Sequence, residues 1–264
     1  MRSEKMVKEE GLVREFKAGE ALVKVYRDRQ SMGKAAARIV GEKMKKFISE
    51  KGEVSMVFAS APSQEEFLAE LAKIKGIDWS KVIAFHLDEY VGLPSDAPQA
   101  FGEFLRRRLF NKVNPGRVYY LNGNAEDLEE EARRYGELLK RYRLDIACIG
   151  IGENGHIAFN DPHVADFNDP LMVKIVELDE VSRQQQVNDG CFASIEQVPQ
   201  KALTITIPVI MSAKFISVVV PAKSKAQAIK RTIQGSISEE CPASILRTHK
   251  NTVMFLDMDS ASLL

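Results

Sequence analysis

Short apolar runs alternate with stretches of helical spacing along most of the chain. Residues 22–26, 54–59, 82–87 and 145–149 form such runs in the first half, each about as long as a buried strand. Between the first two, Ala36, Val40, Met44 and Ile48 recur at the four-residue step of one helix face. Ser63, followed by Glu65 and Glu66, has the form of a helix N-cap with acidic residues in the first turn. Residues 98–112 and 125–142 read as helices. The second is acidic early (Asp127, Glu129, Glu130, Glu131) and basic late (Lys140, Arg141), as the helix dipole favours. In the second half, strands are predicted over 171–178, 202–208, 215–220 and 252–257, with a helix over 224–233. This alternation predicts an α/β fold with a mostly parallel sheet and helices on both faces. No composition shift, Ser/Gly linker or internal repeat marks a boundary, so one Rossmann-like domain is expected over residues 1–264.

Composition narrows the class of protein. With 264 residues and 45% apolar content the chain can bury a core, which excludes disorder as the main state. Thirty-seven basic and thirty-seven acidic residues cancel, so charge gives no case for a nucleic-acid or membrane partner. Cys148, Cys191 and Cys241 are too few and too scattered for a disulfide framework or a closed zinc site. No apolar run approaches the ~20 residues that span a bilayer, and the first residues lack a signal-peptide core. A cytoplasmic protein acting on a small molecule is expected, with no metal, and a homo-oligomer is left open.

Ligands of such folds gather beyond the carboxyl ends of the strands. Three segments place polar residues there: 60–63, 88–90 and 150–161. Taken alone, Asp88 reads as a turn residue or a helix cap. The third segment carries Gly150, Gly152 and Gly155, which match the dinucleotide spacing G-x-G-x-x-G, with Glu177 at a suitable distance downstream. That match needs a crossover helix directly after the glycines, and Asn160-Asp161-Pro162 and Asp169-Pro170 interrupt the stretch. The dinucleotide reading is therefore coincidental. The same segment also sets His156, a proton-exchanging side chain, beside Asn154 and Asp161 on a glycine-rich backbone. His86, inside an apolar run, reads as structural, and His163 and His249 carry no partner signal. A metal site of His86, Asp88 and His156 has no spacing to recommend it.

Two blocks together carry a family resemblance. Residues 85–93, Phe-His-Leu-Asp-Glu-Tyr-Val-Gly-Leu, resemble the F-x-x-D-E-Y-x-G-L block of the glucosamine-6-phosphate deaminases. Residues 150–162 resemble their G-x-G-x-[DN]-G-H-I-[AG]-F-N-E-P block, and segments 119–124, 197–204 and 223–226 are similar too. The likeness runs from about residue 30 to 255. The related 6-phosphogluconolactonases share only the G-H core. The resemblance implies a cofactor-free amino-sugar enzyme, a deaminase, isomerase and hydrolase, that turns a hexosamine 6-phosphate into a ketose 6-phosphate and ammonia. It implies Asp88 as the base moving the C2 proton, His156 assisting ring opening, Asn154 and Asp161 holding that histidine, and Lys225 on the phosphate. This suits the chemistry, since a carboxylate can take protons beside a carbonyl.

The departures centre on phosphate. The family loop [ST]-G-[GS]-T-P is Ala59-Ser60-Ala61-Pro62-Ser63 here, with both glycines gone and a proline that cannot donate an amide. Ser60 and Ala61 remain the substrate-facing positions of that loop. A family arginine falls on Asn188, leaving Arg183 or Arg247 as replacements, and Asp161 is one methylene shorter than the family glutamate. Contact with His156 then requires a closer backbone or a bridging water. The basic residues of an allosteric pocket have no counterparts. A sensor of the same fold that binds sugar phosphate without turnover is the alternative, and a dinucleotide-dependent oxidoreductase ranks below it.

Overall fold

The computed structural model describes residues 9–264. Its strands are β1 (Leu12–Ala18), β2 (Ala21–Tyr26), β3 (Val54–Phe58), β4 (Val82–His86), β5 (Asp88–Tyr90), β6 (Arg117–Val118), β7 (Ile146–Ile149), β8 (Val173–Glu177), β9 (Lys201–Ile205), β10 (Phe215–Val220) and β11 (Thr252–Asp257). The helices are α1 (Arg29–Lys51), α2 (Glu65–Leu71), α3 (Phe101–Leu105), α4 (Asn111–Val113), α5 (Leu128–Tyr142), α6 (Glu180–Asn188), α7 (Ile207–Met211) and α8 (Ala226–Gln234). Eight strands form the main sheet in the order β1-β2-β11-β10-β7-β3-β4-β6, parallel except for the antiparallel edge pair β1–β2. Alternate side chains of its strands face opposite layers. Val57, Phe85, Ile149 and Val218 meet Ala132, Tyr135 and Leu139 of α5 on one side. Met56, Ala84, Ile146 and Val219 meet Ala36, Val40 and Met44 of α1 on the other. Burial on both faces explains why these strands are nearly continuous apolar runs.

Two differences from the sequence expectation and one agreement with it matter for the site. First, the segments expected as strands over 171–178 and 202–208 do not join the main sheet; β8 and β9 pair antiparallel with β5 in a separate three-stranded sheet. Leu87 joins the two sheets, donating its amide to Phe58 O at 3.3 Å and accepting from the Ile205 amide at 2.9 Å. Asp88 is thereby held at the junction, just past the carboxyl end of β4. Second, Ser63 is not a cap: it lies inside a 3₁₀ turn, Pro62–Gln64, which has no side-chain cap and leads into α2. Third, no helix follows the glycines at 150, 152 and 155 until α6, beyond β8, so the dinucleotide unit is absent. Among the described residues no helix is long and apolar enough to cross a membrane.

Candidate active site

The carboxyl ends of β3, β4, β7 and β10 open into a cleft of about 530 Å³, its mouth included, lined among others by Ser60, Ala61, Asp88, Gly152, His156, Gln186 and Lys225. An aromatic cluster of the small sheet supports it. Tyr90 and Phe101 lie 4.6 Å apart between ring centroids, and Phe159 packs 5.6 Å from Phe101. Glu89 fixes this wall by accepting the amides of Tyr90 at 3.0 Å, Phe101 at 3.0 Å and Gly102 at 2.9 Å. That anchoring assigns a structural task to the middle residue of Asp88-Glu89-Tyr90.

Asp88 is 8% exposed, with the Phe159 amide toward its carboxyl. Burial, reinforced by the charges of Glu89 and Asp161, pushes its carboxyl well above the usual carboxylate range. Such a shift suits a group that gives and takes protons.

His156 is held by one ring nitrogen. Its Nδ1 lies 2.8 Å from Asn154 Oδ1, 2.9 Å from Ser182 Oγ and 3.0 Å from Asp161 Oδ1. Asn154 turns its Oδ1 toward the ring because its Nδ2 donates to Asp161 Oδ1 and Asp179 Oδ2, both at 3.0 Å. The Ser182 hydroxyl donates to Asp161 Oδ1, which leaves its oxygen free to accept from the ring. Every neighbour of Nδ1 is thus an acceptor, so Nδ1 carries a proton and Nε2 remains open toward the cleft. These same donors hold the Asp161 carboxyl well below its usual range against the opposing effect of burial. Asp161 reaches the ring directly, although it is shorter than glutamate. A tight turn achieves this: Ile157 and Asn160 bridge across Ala158, which takes a left-handed φ of 49°. Gly152 leaves room for the ring, since a Cβ there would lie 2.1 Å from His156 Cε1.

Lys225 enters from the turn before α8. The residue is 4% exposed, and its ammonium has no hydrogen-bond partner among the described residues and lies 3.8 Å from Glu153 Oε1. Burial lowers its pKa. The backbone carrying it is strained: Ala222 sits at φ 82°, ψ 146°, a region suited to glycine. Asp257 holds it there, its two oxygens accepting the Ala222 amide at 3.2 and 3.1 Å. Ser60 Oγ, in the cleft wall, is also buried and has no hydrogen-bond partner among the described residues.

The replacement arginines lie elsewhere. Arg183 donates to the Ile195 and Val198 carbonyls at 2.6 and 3.2 Å, and Arg247 to those of Ile233 and Gly235 at 2.8 Å; neither lines the cleft. Helix phase is the reason for Arg183. The face of α6 toward the cleft carries Ser182, Gln185 and Gln186, and Arg183 projects off that face. Sequence reasoning passed over those three residues. The signal was a weak one, Asp179 three residues before Ser182, which marks a helix N-cap without showing what the helix faces. His86 is buried, its Nε2 accepting the Leu121 amide at 2.9 Å and its pKa driven down to about 4 by burial. Asp161, His163 and Asp179 bring donor atoms within 4.8 Å of one another. Their oxygens already accept from Asn154 and Ser182, and His163 Nε2 faces the Glu177 carbonyl at 3.0 Å, so a hydrogen-bond network accounts for them.

Comparison with known proteins agrees with this geometry. Residues 27–255 match the family described as glucosamine-6-phosphate isomerases/6-phosphogluconolactonase. A glucosamine-6-phosphate deaminase of Thermoanaerobacter sp. (strain X514) is 39% identical over 241 residues, 89% of this chain and 92% of that protein. Glucosamine-6-phosphate deaminase 1 of Bacillus subtilis (strain 168) is 36% identical over 240 residues, 89% and 96% of the two chains. A solved monomeric glucosamine-6-phosphate deaminase superposes with a TM-score of 0.85 at 34% identity, covering 92% of this chain and 99% of its own. The 6-phosphogluconolactonase of Thermotoga maritima shares the fold, with a TM-score of 0.73 at 19% identity over 90% of this chain and 99% of that one. These findings correct one expectation. Hydrolase does not stand as a leading class, because the relatives above 30% identity are named deaminases and the lactonase branch is similar in fold alone. The chain belongs to the family of glucosamine-6-phosphate isomerases and 6-phosphogluconolactonases.

Proposed function

We propose that this chain isomerises and deaminates glucosamine 6-phosphate, giving fructose 6-phosphate and ammonia. One observation carries the reading: a single cleft holds a proton-exchanging carboxyl, an imidazole with one open nitrogen and a buried ammonium without a hydrogen-bond partner among the described residues. The deaminase names of its relatives support it. One Rossmann-like domain supplies all three groups.

Each group has a role in the steps. His156 Nε2 exchanges a proton with the ring oxygen or the anomeric hydroxyl as the sugar ring opens to the aldehyde. Asn154, Asp161 and the proton on Nδ1 fix the ring so that Nε2 is the nitrogen presented. Asp88 takes the proton from C2 and returns it to C1. The C1 carbonyl becomes an alcohol as the C2–N bond becomes an imine, so C1 is reduced by the electrons C2 gives up. Water adds at C2 and ammonia leaves, which completes the ketose. Lys225 meets the phosphate, with Ser60 and Ala61 forming the adjacent wall. Arg183 has no part in this scheme.

The test is ammonia release from glucosamine 6-phosphate, galactosamine 6-phosphate and free glucosamine. Release from glucosamine 6-phosphate, with little from the free sugar, is expected. Silence with both hexosamine phosphates overturns the reading.

A further inference from the structure

We infer that Ser182 is a positioning residue for the His156 imidazole, so that the first turn of α6 sets which ring nitrogen meets the substrate. The inference rests on the proposed role of His156 and adds a residue outside the sequence blocks of the resemblance. Ser182 is buried, 1% exposed, three residues after the α6 N-cap Asp179, whose carboxylate accepts its amide at 2.6 Å. Asn154 Nδ2 donates to Ser182 Oγ at 3.4 Å, and two closer partners fix the direction of the hydroxyl. The carboxylate of Asp161 can only accept, so the hydroxyl hydrogen goes there. The oxygen then accepts the Nδ1 proton at 2.9 Å.

Asn154 and Asp161 alone do not do this work equally well. Asp161 Oδ1 also accepts from Asn154 Nδ2, and Asn154 Oδ1 also accepts the His156 amide at 2.9 Å. Ser182 shares the load on both sides, draining charge from Asp161 Oδ1 while offering a third acceptor to the ring. It also ties the ring to α6, whose other inward residues Gln185 and Gln186 line the cleft. The start of α6 reaches the imidazole directly through the Ser182 hydroxyl and indirectly through Asp179, which accepts from Asn154 Nδ2 and donates its amide to Asp161.

The experiment compares Ser182→Ala and Ser182→Thr with the wild-type protein by steady-state kinetics and by ¹⁵N NMR of the histidine side chains. Loss of a hydrogen bond that orients a working histidine costs about 10–100-fold. Ser182→Ala is expected to lower kcat in that range with KM within about twofold. Its His156 ¹⁵N signals should move from the Nδ1–H pattern toward a mixture of tautomers, and Ser182→Thr should restore both. A kcat within twofold of wild type, or a fall in kcat with unchanged His156 signals, overturns the proposal. If Ser182→Ala does not fold, the folded Thr variant decides: wild-type ¹⁵N signals and kcat support the role, and altered signals with intact kcat oppose it. The NMR readout needs no turnover, so a wild-type protein inactive on hexosamine phosphates defeats the deaminase reading while Ser182 is still judged by the tautomer.

Discussion

Asp145 and Lys225 are both buried charges at the edges of one sheet, and the chain treats them in opposite ways. Asp145 stands at the amino end of β7 and is fully covered. It accepts from Lys51 Nζ on both oxygens at 2.7 Å and from the Ser55 amide at 3.0 Å, and lies 3.0 Å from Lys214 Nζ. Lys225 stands beyond the carboxyl end of β10 with no hydrogen bond among the described residues and with Glu153 Oε1 3.8 Å away. A buried charge with every lone pair satisfied belongs to the fold; one left open beside a cavity is held for a ligand. The Ser60 hydroxyl falls on the same side of this division as Lys225 among the described residues, and Asp88 lines the same cleft.

Substitutions at the two edges should therefore separate stability from kinetics. Asp145→Asn should lower the unfolding free energy by about 3 kcal/mol, the lower end for a broken buried pair because Lys51 and Lys214 can both turn to water. Denaturant titration measures this, and KM and kcat of the folded variant should stay within about twofold of wild type. Lys225→Ala should do the reverse. Its KM for the phosphorylated sugar should rise about 10–100-fold, the worth of a charge-assisted hydrogen bond to phosphate, while its midpoint of unfolding should not fall. Equal affinity of the wild type for phosphorylated and free sugar would remove the contrast.

A smaller effect distinguishes two carboxylates of the cleft by the sign of their pH dependence. The folded pKa of Asp161 is depressed, so its contribution is present above the ordinary carboxylate pKa of about 4 and is lost as pH falls below it. The folded pKa of Asp88 is raised, so its stabilising influence is present below about 4 and is lost as pH rises. At pH 7, Asp161→Asn should be less stable than wild type by ~2 kcal/mol, and Asp88→Asn no less stable than wild type. The Asp161 gap should shrink as pH falls below about 4 and close only below its depressed folded pKa, while Asp88→Asn should approach wild type at low pH, as followed by urea unfolding across pH.

The strands of the main sheet were legible because both their faces are buried. The runs at 215–220 and 252–257 coincide with β10 and β11 to the residue. The edge strand β1 went unread because six of its seven residues are partly buried or exposed, Ala18 alone being buried, so no alternation shows. The small sheet was not legible as a separate unit, since an apolar run does not state its partner and β5 is only three residues long. Within the site, Asp88, His156, Asn154, Asp161 and Lys225 lie in contiguous sequence blocks and were found there. Ser182, Gln185 and Gln186 reach the cleft only because α6 folds back over the 150–161 loop, a contact that no local spacing records.

The central claim is that the buried Asp88 carboxyl at the carboxyl edge does the chemistry. The direct test supplies glucosamine 6-phosphate deuterated at C2 to the wild-type and Asp88→Asn proteins and follows ammonia and the C1 position of the product by NMR. Wild type should release ammonia and place part of the deuterium on C1 of fructose 6-phosphate, as a single base moving that atom requires. Asp88→Asn should keep its ligand affinity and lose turnover by about 10²–10⁴-fold. Turnover by Asp88→Asn near the wild-type rate would contradict the account.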